Sequence, residues 1–382
     1  MIDCIVNKIK SCLPSKHRQY HIHEPIFKES DIKNITKCID STFVSTNGVF
    51  INNFIEKLNK ITNCKYILLT NSGTSALFLS LKALDIDNCE VLIPSMTFVA
   101  SANAIIHANG IPNFIDSSKN SLNICENNLE DYLSRISFIK NDKCINKKTG
   151  RRIKAIMIVH AYGNPVNVLP INKIAKKYHL DIIEDAAGAL GSYHNKSHIG
   201  KTGRFSILSF NGNKIVTTGM GGAILFKNKK DYKNIEHLMS TARLPHKWRV
   251  EHDKVGYNLR MSNINAALGY GQLCRIKDTL KYKKELYFKY KNIFDDDKYC
   301  FLHLITENDT PNHWVTNIYL KDNYKKYHQN LIKALHNEGI IVRELWMPQH
   351  LNKMYKNMPR SSINNAVKHW KSGISLPSSY YK

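Results

Sequence analysis

The sequence predicts an α/β domain with a mostly parallel, buried sheet, followed by a smaller α+β domain, on three observations. Short β-branched runs alternate with segments of helical spacing through the first two-thirds of the chain, a pattern that lays helices on the faces of parallel strands. The run at 155–159 (AIMIV) is apolar at every position, as expected of a strand covered on both faces. From about Ser262 the texture changes to a long helical stretch with few breakers, followed by isolated strand candidates.

In chain order, the first domain has strand candidates at 66–69, 90–93, 155–159, 181–183, 206–210 and 223–226. Helical segments at 75–84, 101–109 and 171–178 lie between them, with apolar residues every three to four positions. The helical stretch from Asn263 to Phe294 then joins the second domain, which adds strands at 314–320 and 340–343 and a helix over 327–337. The division expected is residues 1–261, with residues 1–25 as an N-terminal arm, and residues 262–382. A length of 382 residues fits a prior of about two domains.

Composition narrows the class. Apolar residues make up 43%, enough for a packed core, which excludes a disordered chain. No apolar run approaches the roughly 18 residues of a membrane helix, and the first 16 residues lack the continuous apolar stretch of a secretory signal. The formal charge of +24 invites phosphate-bearing partners. The lysines and arginines are scattered, however, and not interleaved with aromatics in a nucleic-acid recognition pattern. The expectation is therefore no specific nucleic-acid binding, with a basic surface that draws anionic small substrates. The nine cysteines form no C-x-x-C pair and have long, irregular gaps. They read as reduced thiols of a cytoplasmic protein, with neither a metal site nor a disulfide framework.

Three segments carry chemistry. Asn71-Ser72-Gly73-Thr74-Ser75 follows a strand and opens a helix. Free amides at a helix N-terminus hold phosphate, and Gly73 lets the backbone come close; the same residues also read as an ordinary N-cap. Ile182-Ile183-Glu184-Asp185 ends a buried strand in two acids, at the end of a parallel strand where ligands sit. A carboxylate there needs a cationic partner, such as a protonated pyridine nitrogen, or its pKa rises. It reads equally as a solvated strand end or a helix cap. Ser209-Phe210-Asn211-Gly212-Asn213-Lys214 leaves a strand for a loop with one lysine and a Gly-rich turn. A lysine in a partly dry pocket loses its proton readily and forms Schiff bases.

A phosphate cradle, an acid, and Ser and Lys five apart, in that order, are the layout that a pyridoxal phosphate enzyme needs. With "NSGTSAL", "VLIPSMTFVASANAI", "VHAYGNP", "IIEDAAGALGS", "SFNGNKIVTTGMGGAI" and "VGYNLRMSNINAALGYGQL", the chain resembles the sugar aminotransferases of the DegT/DnrJ/StrS family from about Pro25 to Ser379. The resemblance implies the aspartate aminotransferase fold (fold type I), with a mostly parallel, seven-stranded-type sheet. It implies pyridoxal 5'-phosphate as cofactor, with Lys214 carrying it and moving the proton and Asp185 pairing with the pyridine nitrogen. Gly73, Thr74 and Ser209 would hold the phosphate, and Phe98 would stack on the ring. Asn258 would reach the phosphate of a neighbouring subunit in a homodimer with shared sites. Gly188, Asn211 and Met220 depart from the residues common in the family, Gln or His, His, and Glu. Relatives usually continue for some residues beyond Ser379, so the last element of the small domain is expected to be missing.

The reaction implied is transfer of an amino group from L-glutamate to the keto carbon, C4, of a nucleotide-linked 4-keto-6-deoxy sugar for bacterial surface glycans. "STFVSTNG", "SFNGNK" and "ARLPHKW" most resemble the branch acting on UDP-4-keto-6-deoxy-N-acetylhexosamines, which feeds legionaminic acid and similar sugars. From their places in the matching segments, Thr46, Arg243 and His350 are candidate substrate contacts; each reads equally as structural. The alternatives are a GDP-4-keto-6-deoxymannose aminotransferase of the perosamine type, a 3-keto sugar aminotransferase, and a non-catalytic basic binding protein. A dehydratase of the same fold is disfavoured, because such relatives replace the lysine that stands at 214.

Overall fold

A computed structural model describes residues 1–15, 19–303 and 305–381. Its main sheet is built from β1 (Tyr66–Thr70), β2 (Glu90–Pro94), β3 (Ile111–Ile115), β4 (Arg152–Val159), β5 (Asp181–Asp185), β6 (Phe205–Ser209) and β7 (Gly222–Phe226). They lie in the order β1-β7-β6-β5-β4-β2-β3, and a hairpin over 137–146 beside β4 brings the sheet to nine strands. Pairing is parallel from β6 through to β3, whereas β7 runs antiparallel to both β1 and β6. This is the mostly parallel sheet expected.

The helices are α1 (Ile2–Cys12), α2 (Glu29–Asp40), α3 (Val49–Thr62), α4 (Gly73–Ala83), α5 (Val99–His107), α6 (Glu126–Ile136), α7 (Val168–Lys177), α8 (Lys229–Met239), α9 (Asn263–Cys274), α10 (Ile276–Phe294), α11 (His328–Asn337) and α12 (Asn365–Ser372). Strand β4 shows why AIMIV is apolar throughout. Ala155 and Met157 join one core cluster, with Leu77, Ile93 and Phe205. Ile156 and Ile158 join another, with Leu129, Ile171 and Ile174. Both faces of the strand are covered, so alternation is absent.

A second sheet holds β8 (Cys300–Leu302), β9 (Thr316–Leu320), β10 (Arg343–Glu344) and β11 (Gly373–Leu376), in the order β8-β9-β11-β10. The last strand in the chain, β11, lies inside this sheet, paired on both sides. Among the described residues no helix is long and apolar enough to cross a membrane.

Four expectations change. The helix from Asn263 to Phe294 breaks at Arg275, which leaves helical geometry. No glycine or proline marks the junction; the Arg275 guanidinium instead pairs with Asp31 and donates to the Ile26 carbonyl (3.0 Å). Strand β9 starts at Thr316 rather than Trp314, because the Trp314 amide donates to the Asn312 side chain (2.9 Å) instead of to a strand neighbour. The last expected strand shifts to Arg343–Glu344, and Ile340 forms an isolated bridge with Tyr20. Helix α1, expected within an arm of the first domain, packs on the second. Helix α1 buries Ile5, Val6 and Ile9 in the second domain's core with Leu286, Leu331 and Ile374, while Lys8 pairs with Asp297. Conversely, α9 packs on α2 and α3.

Candidate active site

The carboxyl ends of β1, β2, β4, β5 and β6 converge on one cavity of about 290 Å³, where a parallel sheet places its ligands. Gly73, Thr74, Phe98, Asp185, Ser209 and Lys214 all line it. A larger groove, about 560 Å³, lies between α10 and the 300–313 segment and contains none of the expected site residues.

One wall is an anion cradle. Ser72 caps α4, its hydroxyl accepting from the Ser75 amide (3.0 Å). That leaves the first turn, with Gly73 and Thr74, facing the cavity, where its free amides and the helix dipole favour a phosphate. The close approach needs two glycines. A Cβ on Gly73 would stand 2.9 Å from the Ser209 Cβ, and one on Gly222 2.6 Å from the Ser72 carbonyl. A pyridoxal phosphate fits this donor set: a helix N-terminus and hydroxyls for the phosphate, a buried acid and a lysine for the ring.

Asp185 ends β5 and is buried. The Ser101 hydroxyl donates to its Oδ2 (2.6 Å) and the Ala187 amide to its Oδ1 (3.1 Å), so the carboxylate is held in one orientation. Ser101 in turn exchanges a hydrogen bond with Thr97 (2.9 Å). The neighbouring Glu184 points to the opposite face and is fully bonded, by the Gly200 (3.0 Å), Thr202 (2.9 Å) and Gly203 (2.6 Å) amides and by His160 Nε2 (3.1 Å). Burial pushes its pKa up, but His160 and these amides outweigh it and hold the group below the usual carboxylate range. The Val166 amide donates to His160 Nδ1 (3.1 Å), which puts the imidazole proton on Nε2, toward Glu184.

Lys214 stands in the loop between β6 and β7. Residues of α9 clamp that loop: Gln272 bonds both the amide and the carbonyl of Thr217 (3.0 and 2.9 Å), and Asn265 donates to the Thr218 carbonyl (2.6 Å). Burial lowers the Lys214 amine to about 8, against the opposing pull of the Asp185 charge. Its Nζ lies 3.8 Å from the centroid of the Trp314 ring. An amine that is part neutral near physiological pH is a nucleophile and a proton carrier.

Aromatic rings form the remaining wall. Tyr162 stacks on Trp346 with centroids 4.0 Å apart, and Phe98 stands 6.1 Å from Trp346 at the mouth. Tyr162 adopts a left-handed backbone (φ 54°), a costly conformation for a bulky residue and one that recurs at ligand sites. Gln349 ties this wall to the turn after β2: its side chain donates to the Thr97 carbonyl (2.7 Å) and its amide to the Ser95 carbonyl (2.8 Å).

The other expected residues lie outside the cavity of their own chain. Asn258 is exposed and forms an isolated bridge with Ser240, and Arg243, also exposed, bridges His252. Thr46 lies in a loop anchored by Asn263, which accepts from the Phe50 amide (3.0 Å) and donates to the Phe43 carbonyl (2.6 Å). His350 bonds the Ser95 hydroxyl through Nδ1 (2.7 Å), and burial holds its ring below the ordinary imidazole pKa. Sequence reasoning missed Ser72, Ser101, His160, Tyr162, Trp314 and Trp346. The first four stand in or beside segments already singled out; nothing local marks the two tryptophans.

The chain is 30% identical to the GDP-perosamine synthase of Escherichia coli O157:H7 over 358 residues, 94% of this chain and 92% of that protein. It is also 30% identical to the UDP-4-amino-4,6-dideoxy-N-acetyl-beta-L-altrosamine transaminase of Campylobacter jejuni subsp. jejuni serotype O:2, over 91% of this chain and 89% of that protein. Its fold matches that of Helicobacter pylori PseC, an aminotransferase involved in the biosynthesis of pseudoaminic acid, with a TM-score of 0.85, 25% identity and 94% of each chain covered. Residues 25–380 match the DegT/DnrJ/EryC1/StrS aminotransferase family, and the chain belongs to this family of pyridoxal phosphate-dependent enzymes.

Proposed function

We propose that this aminotransferase moves an amino group from L-glutamate to C4 of a nucleotide-linked 4-keto-6-deoxy sugar, in the cytoplasm, for a bacterial surface glycan. The observation that carries the reading is the convergence of Lys214, Asp185, Ser209 and the first turn of α4 on one cavity. Gly73, Thr74 and Ser209 would hold the cofactor's phosphate, Asp185 would pair with its ring nitrogen, and Phe98 would cover the ring. Bound pyridoxal phosphate supplies an electron-accepting ring that stabilises negative charge at the carbon bearing the amine. Lys214 Nζ, part neutral because it is buried, would move the proton from the donor's α-carbon to the cofactor carbon that receives the amine, and in the second half-reaction from that carbon to C4 of the keto sugar. Asp185, fixed by Ser101 and Ala187, would keep the ring nitrogen protonated. The aromatic wall excludes water from the reacting carbon.

The working form is a homodimer with shared sites. Asn258 and Arg243 flank a segment whose Trp248, Val250 and Val255 are exposed, and Phe43, Val44, Val49 and Met220 are exposed as well. A second copy covering these side chains would bring Asn258 toward the neighbouring phosphate cradle, and Thr46 and Arg243 toward its substrate. The UDP-linked N-acetylhexosamine branch, of the legionaminic acid type, is the first reading of the sugar. Equal identity to a GDP-perosamine synthase favours a GDP-linked sugar as the second.

Purified protein should be yellow and lose that colour on addition of L-glutamate. Product mass spectrometry on a panel of UDP- and GDP-linked keto sugars then identifies the acceptor. Lys214→Ala should neither bleach nor transaminate; turnover in that variant at the wild-type rate refutes the mechanism.

A further inference from the structure

We infer that Trp314 is a positioning residue for Lys214: its indole face is the seat on which the free ε-amine rests, and Gly188 is the opening that lets the ring lie there. The inference rests on the reading of Lys214 as the reacting amine. The amine stands 3.8 Å from the ring centroid, where the negative face of the π-system attracts a cation, most strongly when water is excluded and the ring is an indole. Trp314 is buried and cannot turn away. Its Nε1–H donates to the Asn213 carbonyl (2.7 Å), its amide to Asn312 Oδ1 (2.9 Å), and its carbonyl accepts from Lys283 (3.1 Å). Asn312 also donates to the carbonyls of Gly188 and Leu190 (2.9 Å each).

Gly188 completes the seat. A Cβ there would stand 2.5 Å from Trp314 Cε3 and 2.6 Å from Cζ3, so any other residue displaces the ring. Three stretches far apart in sequence, 188–190, 213–214 and 312–314, are thus interlocked around one side chain. The lysine stem has four flexible carbons. A fixed seat limits where the amine goes whenever it is not bonded to the cofactor, and favours its charged form against the effect of burial. Among the described residues the charge that acts on the amine is the Asp185 carboxylate on β5, which favours the cation; Lys283 approaches the Trp314 carbonyl from α10. His23, in the segment after α1, feels both lysines and stays neutral.

The test reads the protonation of Lys214 directly. Protein treated with L-glutamate, which frees the lysine, is acetylated briefly over a pH series, and peptide mass spectrometry compares Lys214 with the exposed Lys140. Trp314→Leu should lower the midpoint of the Lys214 profile by about one pH unit, a tenfold change in its protonation equilibrium. Trp314→Phe, which keeps a weaker ring, should fall between, and Gly188→Ala should shift the profile in the same direction as Trp314→Leu. Profiles that coincide with wild type in Trp314→Leu and Gly188→Ala overturn the inference. Should Trp314→Leu not fold, Trp314→Phe and Gly188→Ala carry the same two outcomes. If glutamate does not free the lysine, the cofactor is removed as its oxime with hydroxylamine and the same profiles are measured, so failure of the proposed reaction is distinct from failure of this seat.

Discussion

Replacing Lys283 by methionine tests how the wall behind the candidate site is held. Lys283 projects from α10 into the core and is 1% exposed. Its ammonium donates to the carbonyls of Trp314 (3.1 Å) and Ser378, with no carboxylate among these partners. Burial lowers its pKa from the ordinary 10.5 to about 7. The folded protein therefore releases this proton near neutrality, while the unfolded chain keeps it until about pH 10.5. Between those values the unfolded state binds more protons, so stability rises with pH. With these two pKa values, linkage gives a gain of about 2 kcal/mol between pH 7 and pH 9 from this residue alone. Methionine keeps most of the stem and carries no charge, so that gain disappears. The two carbonyls left without a donor cost about 1–3 kcal/mol each, at both pH values. Urea unfolding followed by circular dichroism, on both proteins at both pH values, isolates the effect. The stability difference between wild type and Lys283→Met should move by about 2 kcal/mol in favour of wild type as the pH rises. A difference that is the same at pH 7 and pH 9 would refute the buried, unpaired cation.

Other expectations concern the cavity itself. Asp185→Asn keeps the Ser101 contact but removes the charge, so turnover should fall by about 10- to 150-fold, the loss of one charge-assisted hydrogen bond, and the Lys214 acetylation profile should move to lower pH because the Asp185 charge raises that pKa. Gly73→Ala drives a methyl group against Ser209 (2.9 Å); overpacking of about 1–3 kcal/mol should weaken cofactor retention on dialysis by roughly ten- to a hundredfold. Mixing Lys214→Ala with Asn258→Ala subunits should restore up to about a quarter of wild-type activity if sites are shared across a two-fold dimer, and a monomer in analytical ultracentrifugation would contradict that arrangement.

The amino-acid sequence alone determined the chemistry and the strands that carry it. AIMIV announced a strand buried on both faces because every side chain there is apolar. That Gly73, Asp185, Ser209 and Lys214 would meet was legible because each ends a strand or lies within five residues after one, and strand ends gather at one sheet edge. The tertiary structure alone decided what surrounds them. Ser101 reaches Asp185 from a helix 84 residues away in the chain, and Trp314 and Trp346 arrive from the far end of the chain to wall the cavity. Arg275 breaks a helix that its local sequence would continue, because its charge is matched by Asp31. Helix α1 leaves the domain it precedes because its apolar stripe fits the second core. Periodicity and turn chemistry are local and can be read residue by residue. Packing partners and buried ion pairs depend on which distant surfaces meet, and only the folded chain decides that.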